Sequence, residues 1–158
     1  MDNNLNYRYD AYCGLYCGSC EMLITTKKNE LDNIAKRKGL DNEGVKCYGC
    51  KTDIVYEHCR NCHLKKCAKE KSLDFCYECK EYPCSELNQF RNDSNYPYHI
   101  EVFDNLQEVK EKGLNEWLKN QKLRWSCPSC KLEFMWYTMK CEDCGKEVKG
   151  YNRPEIKK

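Results

Sequence analysis

The chain has 158 residues, and 27 Lys and Arg against 25 Asp and Glu leave a net charge of +2. That near-balance, with Lys far outnumbering Arg, gives no general reason to expect nucleic-acid binding. Leu, Ile, Val and Phe are few for this length, so hydrophobic burial alone predicts a thin core. The fifteen cysteines are then expected to act as staples.

An odd number of cysteines excludes complete intramolecular disulfide pairing. The stretch Met1 to Asp10 is polar and lacks the apolar centre of a secretory signal. No segment approaches the roughly 18 apolar residues that span a bilayer, so no membrane contact is expected. The expected compartment is the reducing cytoplasm, where CxxC pairs read as metal ligands or redox pairs, and metal ligation is the preferred reading.

In chain order, the first cysteines are the triplet Cys13, Cys17 and Cys20. Glu21 to Lys38 is expected to be a helix, because Leu31, Ile34 and Ala35 follow i, i+3, i+4 spacing and Gly39 offers a stop. The pairs Cys47/Cys50 and Cys59/Cys62 come next, and Leu64 to Lys71 reads as a short helix. Cys67, Cys76, Cys79 and Cys84 complete the first block of eleven. The run 91–97 has turn chemistry and is the expected linker. Ile100, Phe103, Leu106 and Val109 mark one face of a helix ending at Gly113, and Leu114, Trp117 and Leu118 mark a second. Such stripes are usually core.

The last block reads Cys127-Pro128-Ser129-Cys130, ten residues, then Cys141-Glu142-Asp143-Cys144-Gly145. Two CxxC knuckles bring four thiolates to one tetrahedral metal, and a shell closed in this way is structural. Leu132, Phe134, Trp136 and Tyr137 have β-propensity, so the block is expected to be a β-hairpin zinc ribbon. Rubredoxin-like iron is the competing occupant.

Eleven thiols do not divide into closed sets of four. The preferred partition places Cys47, Cys50, Cys59 and Cys62 on one metal and Cys67, Cys76, Cys79 and Cys84 on a second. Cys13, Cys17 and Cys20 then need a fourth ligand, with His63 or His58 the candidates. Interleaved pairing fits the spacing equally well. The triplet spacing also occurs in radical SAM enzymes, but the chain lacks the strand–helix alternation of that fold. An iron–sulfur cluster at the triplet remains open, since all-cysteine ligation suits either metal.

The whole chain resembles a cysteine-rich bacterial and archaeal family catalogued as domain of unknown function 3795. The residues that carry the resemblance are Tyr12-Cys13-Gly14-Leu15-Tyr16-Cys17-Gly18-Ser19-Cys20, Lys46-Cys47-Tyr48-Gly49-Cys50, Cys59-x2-Cys62-x4-Cys67 and Phe75-Cys76-x2-Cys79-x3-Pro83-Cys84, with Trp125-x-Cys127-Pro128-x-Cys130 matching the longer members. The resemblance implies metal binding, with zinc the expected ion, and brings no activity. Lys131 stands where a ribbon knuckle usually has Gly, and His63 where similar proteins carry an apolar residue.

These readings combine into a small metal-stabilised α+β protein. Residues 1–90 form an irregular cysteine-rich multi-metal domain with short helices, 91–124 a linker and helical pair, 125–150 the C-terminal β-hairpin zinc ribbon, and 151–158 a tail. About four zinc sites are expected. The expected role is a binding or adaptor module with a protein partner, for which Tyr48, Tyr56, Tyr77 and Tyr82 are candidate contacts. The alternative is an iron–sulfur or open-site metal protein centred on Cys13, Cys17 and Cys20. An enzyme with an open zinc is disfavoured by three histidines and the lack of an HExxH or HxE…CxxC pattern. Nucleic-acid binding through the ribbon stays open, since Lys140, Lys146 and Lys149 are basic, but a solvated face explains them equally well.

Overall fold

A computed structural model describes residues 7–155. Among the described residues, eight short α-helices are joined by irregular chain and three 3-10 turns. They are α1 Glu21–Lys27, α2 Leu31–Lys38, α3 Asn42–Val45, α4 Glu57–Arg60, α5 His63–Glu70, α6 Ser85–Arg91, α7 Val102–Lys112 and α8 Leu114–Arg124.

The expected α+β class is overturned: among the described residues there is no strand, only the isolated bridges Asp10↔Tyr16, Ser126↔Glu133 and Lys140↔Glu147. The physical reason lies with the aromatics that suggested strands. Trp136 turns inward to stack on Tyr98 at 3.7 Å, and its backbone N–H bonds the Ser19 carbonyl at 3.2 Å. A turn at Met135–Thr138, closed by a 3.0 Å hydrogen bond, then redirects the chain. Burial of the rings in the core outweighs the β-propensity of the same residues.

The single helix expected over Glu21–Lys38 is two. Asn29 adopts φ +56 between α1 and α2, a conformation Asn tolerates better than most residues. The Thr25 and Thr26 hydroxyls donate back to Glu21 and Met22 carbonyls, an alternative to continuing the helical ladder. The Thr26 hydroxyl also accepts from the Cys47 backbone N–H at 3.0 Å, which anchors the second cysteine pair on α1. Gly39 ends α2 at φ +68, as its position predicts. The helix expected over Leu64–Lys71 is α5, and the pair flanking Gly113 is α7 and α8.

One buried cluster joins Cys13, Cys17, Leu23, Leu64, Leu87, Val102, Leu106, Trp117, Trp125 and Trp136, and a smaller one gathers Met22, Ile34, Ala35, Val45, Cys47 and Val55. Trp117 is fully buried and receives the Tyr16 ring edge-on at 6.1 Å. The first cysteine turn lies directly on α7. Asn105 donates to the Gly14 carbonyl at 2.9 Å, and Gln121 on α8 donates to Asn105 at 3.3 Å.

Asp10 is buried, and its carboxylate accepts from Arg8 at 3.1 and 3.0 Å and from Lys51 at 2.9 Å. Burial by itself pushes this carboxyl up, but the two cations hold it below its ordinary value. The Lys51 ammonium also lies 3.8 Å from the Phe75 ring centroid.

Two outcomes follow from this packing. A Cβ at Gly14, whose φ is +94, would meet the Val102 carbonyl oxygen at 2.7 Å and Leu106 Cγ at 2.8 Å. Gly14→Ala is therefore expected to lower stability by about 2 kcal/mol or more in denaturant titrations of metal-loaded protein.

His99 is buried between Phe90 and Tyr96, with Nδ1 donating to the Phe90 carbonyl at 2.9 Å. Burial pushes its pKa down to about 4. The unfolded imidazole takes its proton near pH 6.5 and the folded one only near 4. Folding stability is consequently lost as pH falls through that window. Between pH 7.5 and 5 the stability advantage of the native chain over His99→Phe should shrink by about 2 kcal/mol.

Candidate metal centre

The C-terminal block is built from two knuckles with the same backbone hydrogen bonds. In the first, Cys127 N–H bonds the Leu132 carbonyl at 2.8 Å and Lys131 N–H bonds the Cys127 carbonyl at 2.9 Å. In the second, Cys141 N–H bonds the Lys146 carbonyl at 2.8 Å and Gly145 N–H bonds the Cys141 carbonyl at 3.0 Å. Each loop closes through a positive φ, +68 at Lys131 and +76 at Gly145. The flanking bridges Ser126↔Glu133 and Lys140↔Glu147 repeat the match.

The sulfurs of Cys127, Cys130, Cys141 and Cys144 all lie within 4.8 Å of one another. Cys127 and Cys144 are 3.5 Å apart and Cys130 and Cys141 are 3.4 Å apart. Four thiolates at about 2.3 Å from a tetrahedral ion would be about 3.8 Å from each other, so the arrangement fits one metal. The backbone amides of Cys130 and Ser129 donate to the Cys127 sulfur and hold its thiol below the ordinary value. Amide donors of this kind also orient thiolates around an ion. The ten-residue connection expected as a hairpin is not one, and the four-sulfur cluster forms without it. The described structure thus supports a metal-holding knuckle pair and not a β-hairpin zinc ribbon.

The first block is organised differently. Cys13, Cys17 and Cys47 are buried, Cys67 is exposed, and the remaining seven are half-buried; all are free thiols. Burial pushes Cys50 up to about 11 and Cys20 and Cys76 up to about 12, and raises Cys13, Cys17 and Cys59 as well. A buried sulfur resists charge unless a cation accompanies it.

Electrostatic proximity among these thiols shows who neighbours whom. Cys59 is influenced by Cys20, Cys47, Cys50 and Cys62. Cys17 is influenced by Cys50, Cys20 and Cys47. Cys76 sits among Cys84, Cys67, Cys79 and Cys62, while Cys13 lies near Cys50, Cys62 and Cys76. The structure therefore brings the opening triplet among the later pairs. Among the described residues, only the C-terminal four have every ligand atom within 4.8 Å of the others.

The two histidines beside cysteines have other neighbours. His63 is exposed with Nε2 3.1 Å from Glu86, and the His58 ring lies 5.9 Å from that of Tyr56. Polar groups converge on Cys79, whose sulfur accepts from Lys71 and from the Glu81 backbone N–H, both at 3.4 Å.

With this arrangement in view, the comparisons with known proteins can be placed. The family model described as "Protein of unknown function (DUF3795)" matches residues 9–89, just over half the chain. The chain belongs to this family. No curated protein and no solved structure matches it. The family match covers every cysteine of the first block and stops before the knuckle pair.

Sequence reading missed the group that the buried Asp10 forms with Lys51 and the exposed Arg8. Lys51 lies 41 residues from Asp10, and no periodic pattern connects them. No helix of the described residues is long and apolar enough to cross a membrane.

The knuckle pair predicts a selective loss. Cys141→Ser removes a buried ligand and should cost one equivalent of bound metal while leaving the first block loaded. Elemental analysis of protein purified without oxygen, beside the native chain, checks this, and metal affinity at the altered site should fall by at least about tenfold.

Proposed function

We propose that this protein binds several zinc ions and serves as a metal-organised binding module. The supporting observation is the matched knuckle pair, which gathers Cys127, Cys130, Cys141 and Cys144 within 4.8 Å. Four thiolates fill a tetrahedral zinc shell, leave no position for substrate, and make that site structural. The eleven thiols of the first block would hold about three further ions, drawn from the neighbourhoods around Cys47 and Cys59 and around Cys76. Free thiols throughout suit a reducing compartment such as the cytoplasm.

A protein partner is part of this reading. Closed shells turn the cysteines inward and leave shape and side chains outside as the working surface. The division into a cysteine-rich segment 1–90, a helical connection 91–124, a knuckle segment 125–150 and a tail 151–158 belongs to the same proposal.

Metal stoichiometry tests it. About four zinc per chain, with colourless protein, is the expected result for fifteen cysteines in near-complete four-thiolate shells. Fewer than two metals per chain would sink the proposal. Brown protein with visible charge-transfer absorbance would assign the first block to an iron–sulfur cluster instead. Chelation should also collapse the cooperative unfolding transition, because metal binding supplies folding free energy here.

A further inference from the structure

We propose that the groove between α8 and the first C-terminal knuckle binds a small phosphorylated ligand of the nucleotide polyphosphate class. The groove is open to solvent and offers about 650 Å³. That lies within the range of about 300–1,000 Å³ typical of small-molecule sites. Lys27, Lys119, Lys122 and Lys131 line it, with Glu133 the one acidic residue among the lining groups. Four positive charges against one negative leave +3 in this groove, more than the +2 of the entire chain.

The lysines are not equally engaged. Lys27 is held by the Tyr9 hydroxyl at 2.9 Å and by Glu133 at 4.0 Å. Among the described residues, no ion pair involves Lys119, Lys122 or Lys131, and the Lys131 ammonium donates to the Pro128 carbonyl at 3.3 Å. Lys119 and Lys122 are three residues apart on α8 and so share a helix face. Ammonium groups gathered without counter-charges raise the local positive potential and favour a multiply charged anion.

Lys131 adds an independent observation. Its backbone is at φ +68, where the equivalent position of the second knuckle uses Gly145 at φ +76. A side chain at this position works against the backbone preference of an L-residue. Strain of that kind often marks a working position, and this side chain brings a cation to the groove. Tyr9 and Leu118 supply an aromatic and apolar wall for an organic group beside the phosphates. The cations are gathered in one groove and not drawn out along a stripe, which suits a compact polyanion more than an extended strand.

The test uses the metal-loaded full chain in calorimetric titrations at about 50 mM salt, where surface charge is weakly screened. The probes are ATP, inorganic tripolyphosphate, adenosine and a short single-stranded oligonucleotide. ATP and tripolyphosphate should bind and adenosine should not. ATP should bind more tightly than tripolyphosphate, and equal affinity for the two would overturn the assignment to a nucleotide.

Lys119→Ala combined with Lys122→Ala should weaken ATP binding by at least about tenfold, and about 200 mM salt should weaken it further. Lys131→Gly should weaken it by about three- to tenfold while metal content and thermal stability are kept or raised, since Gly suits the positive φ. Lys69→Ala, exposed on α5, should leave affinity unchanged. No binding of either polyphosphate would overturn the proposal. So would an equal loss in Lys69→Ala, adenosine binding as tightly as ATP, or tighter binding of the oligonucleotide.

Discussion

Backbone hydrogen bonds from one short stretch of chain hold the cysteine segments together. Arg8 N–H reaches the Tyr48 carbonyl at 2.8 Å, Cys17 N–H reaches the Tyr9 carbonyl at 2.7 Å, and Cys76 N–H reaches the Tyr12 carbonyl at 2.8 Å. Two cysteine runs distant in sequence, at Tyr48 and at Cys76, are thereby tied to residues 8–17, whose own Cys17 is folded back on Tyr9, without any strand. The approach at Gly49 is so close that a Cβ there would run into the Arg8 backbone, and its φ of +125 further favours glycine. The buried Asp10, held by Arg8 and Lys51, fixes the same seam by charge. Loss of the seam would scatter the thiols, and it is local geometry, not a regular sheet, that sets where they stand.

Much of the helical part was legible because burial imposes a period on it. Leu106, Val109 and Trp117 are buried as their spacing predicts, whereas Ile100 of the same stripe lies before α7 and is exposed, and Gly39 and Gly113 end the helices they follow. The C-terminal block shows where such reading stops. Its ligands were identifiable because each CxxC knuckle is a local motif, complete within about five residues and dependent on its own turn. Its expected strands were not formed, because Trp136 finds Tyr98, 38 positions earlier, and Ser19, more distant still. Propensity describes a residue alone, whereas the partner that captures it is set by the whole fold. The partition of the first eleven cysteines was illegible for the same reason. Spacing names the pairs, but the chain path that brings Cys20 to Cys47 and Cys59 depends on the break at Asn29 and the anchor at Thr26.

The two cysteine regions differ in how they tolerate charge. At the knuckles, amides already point at Cys127 and favour the thiolate. In the first block, desolvation dominates and the thiols resist ionisation until a cation arrives. The knuckle thiols themselves differ, since amide donors lower Cys127 while the hydrogen-bonded Cys141 sulfur helps to raise Cys130. The basic groove adjoins the first knuckle through Lys131, so the sulfur cluster also shapes a surface unrelated to sulfur chemistry.

The lack of any strand among the described residues bears on how the folded chain meets its neighbours. A sheet edge presents a row of unpaired N–H and C=O groups to neighbouring molecules, and that template is missing here. The exposed liability is sulfur itself: Cys67, Cys130 and Cys144 stand at the surface as free thiols. Self-association of the folded chain would then run through oxidation and cross-linking of these thiols, which a reductant reverses, more than through the stacking of backbone.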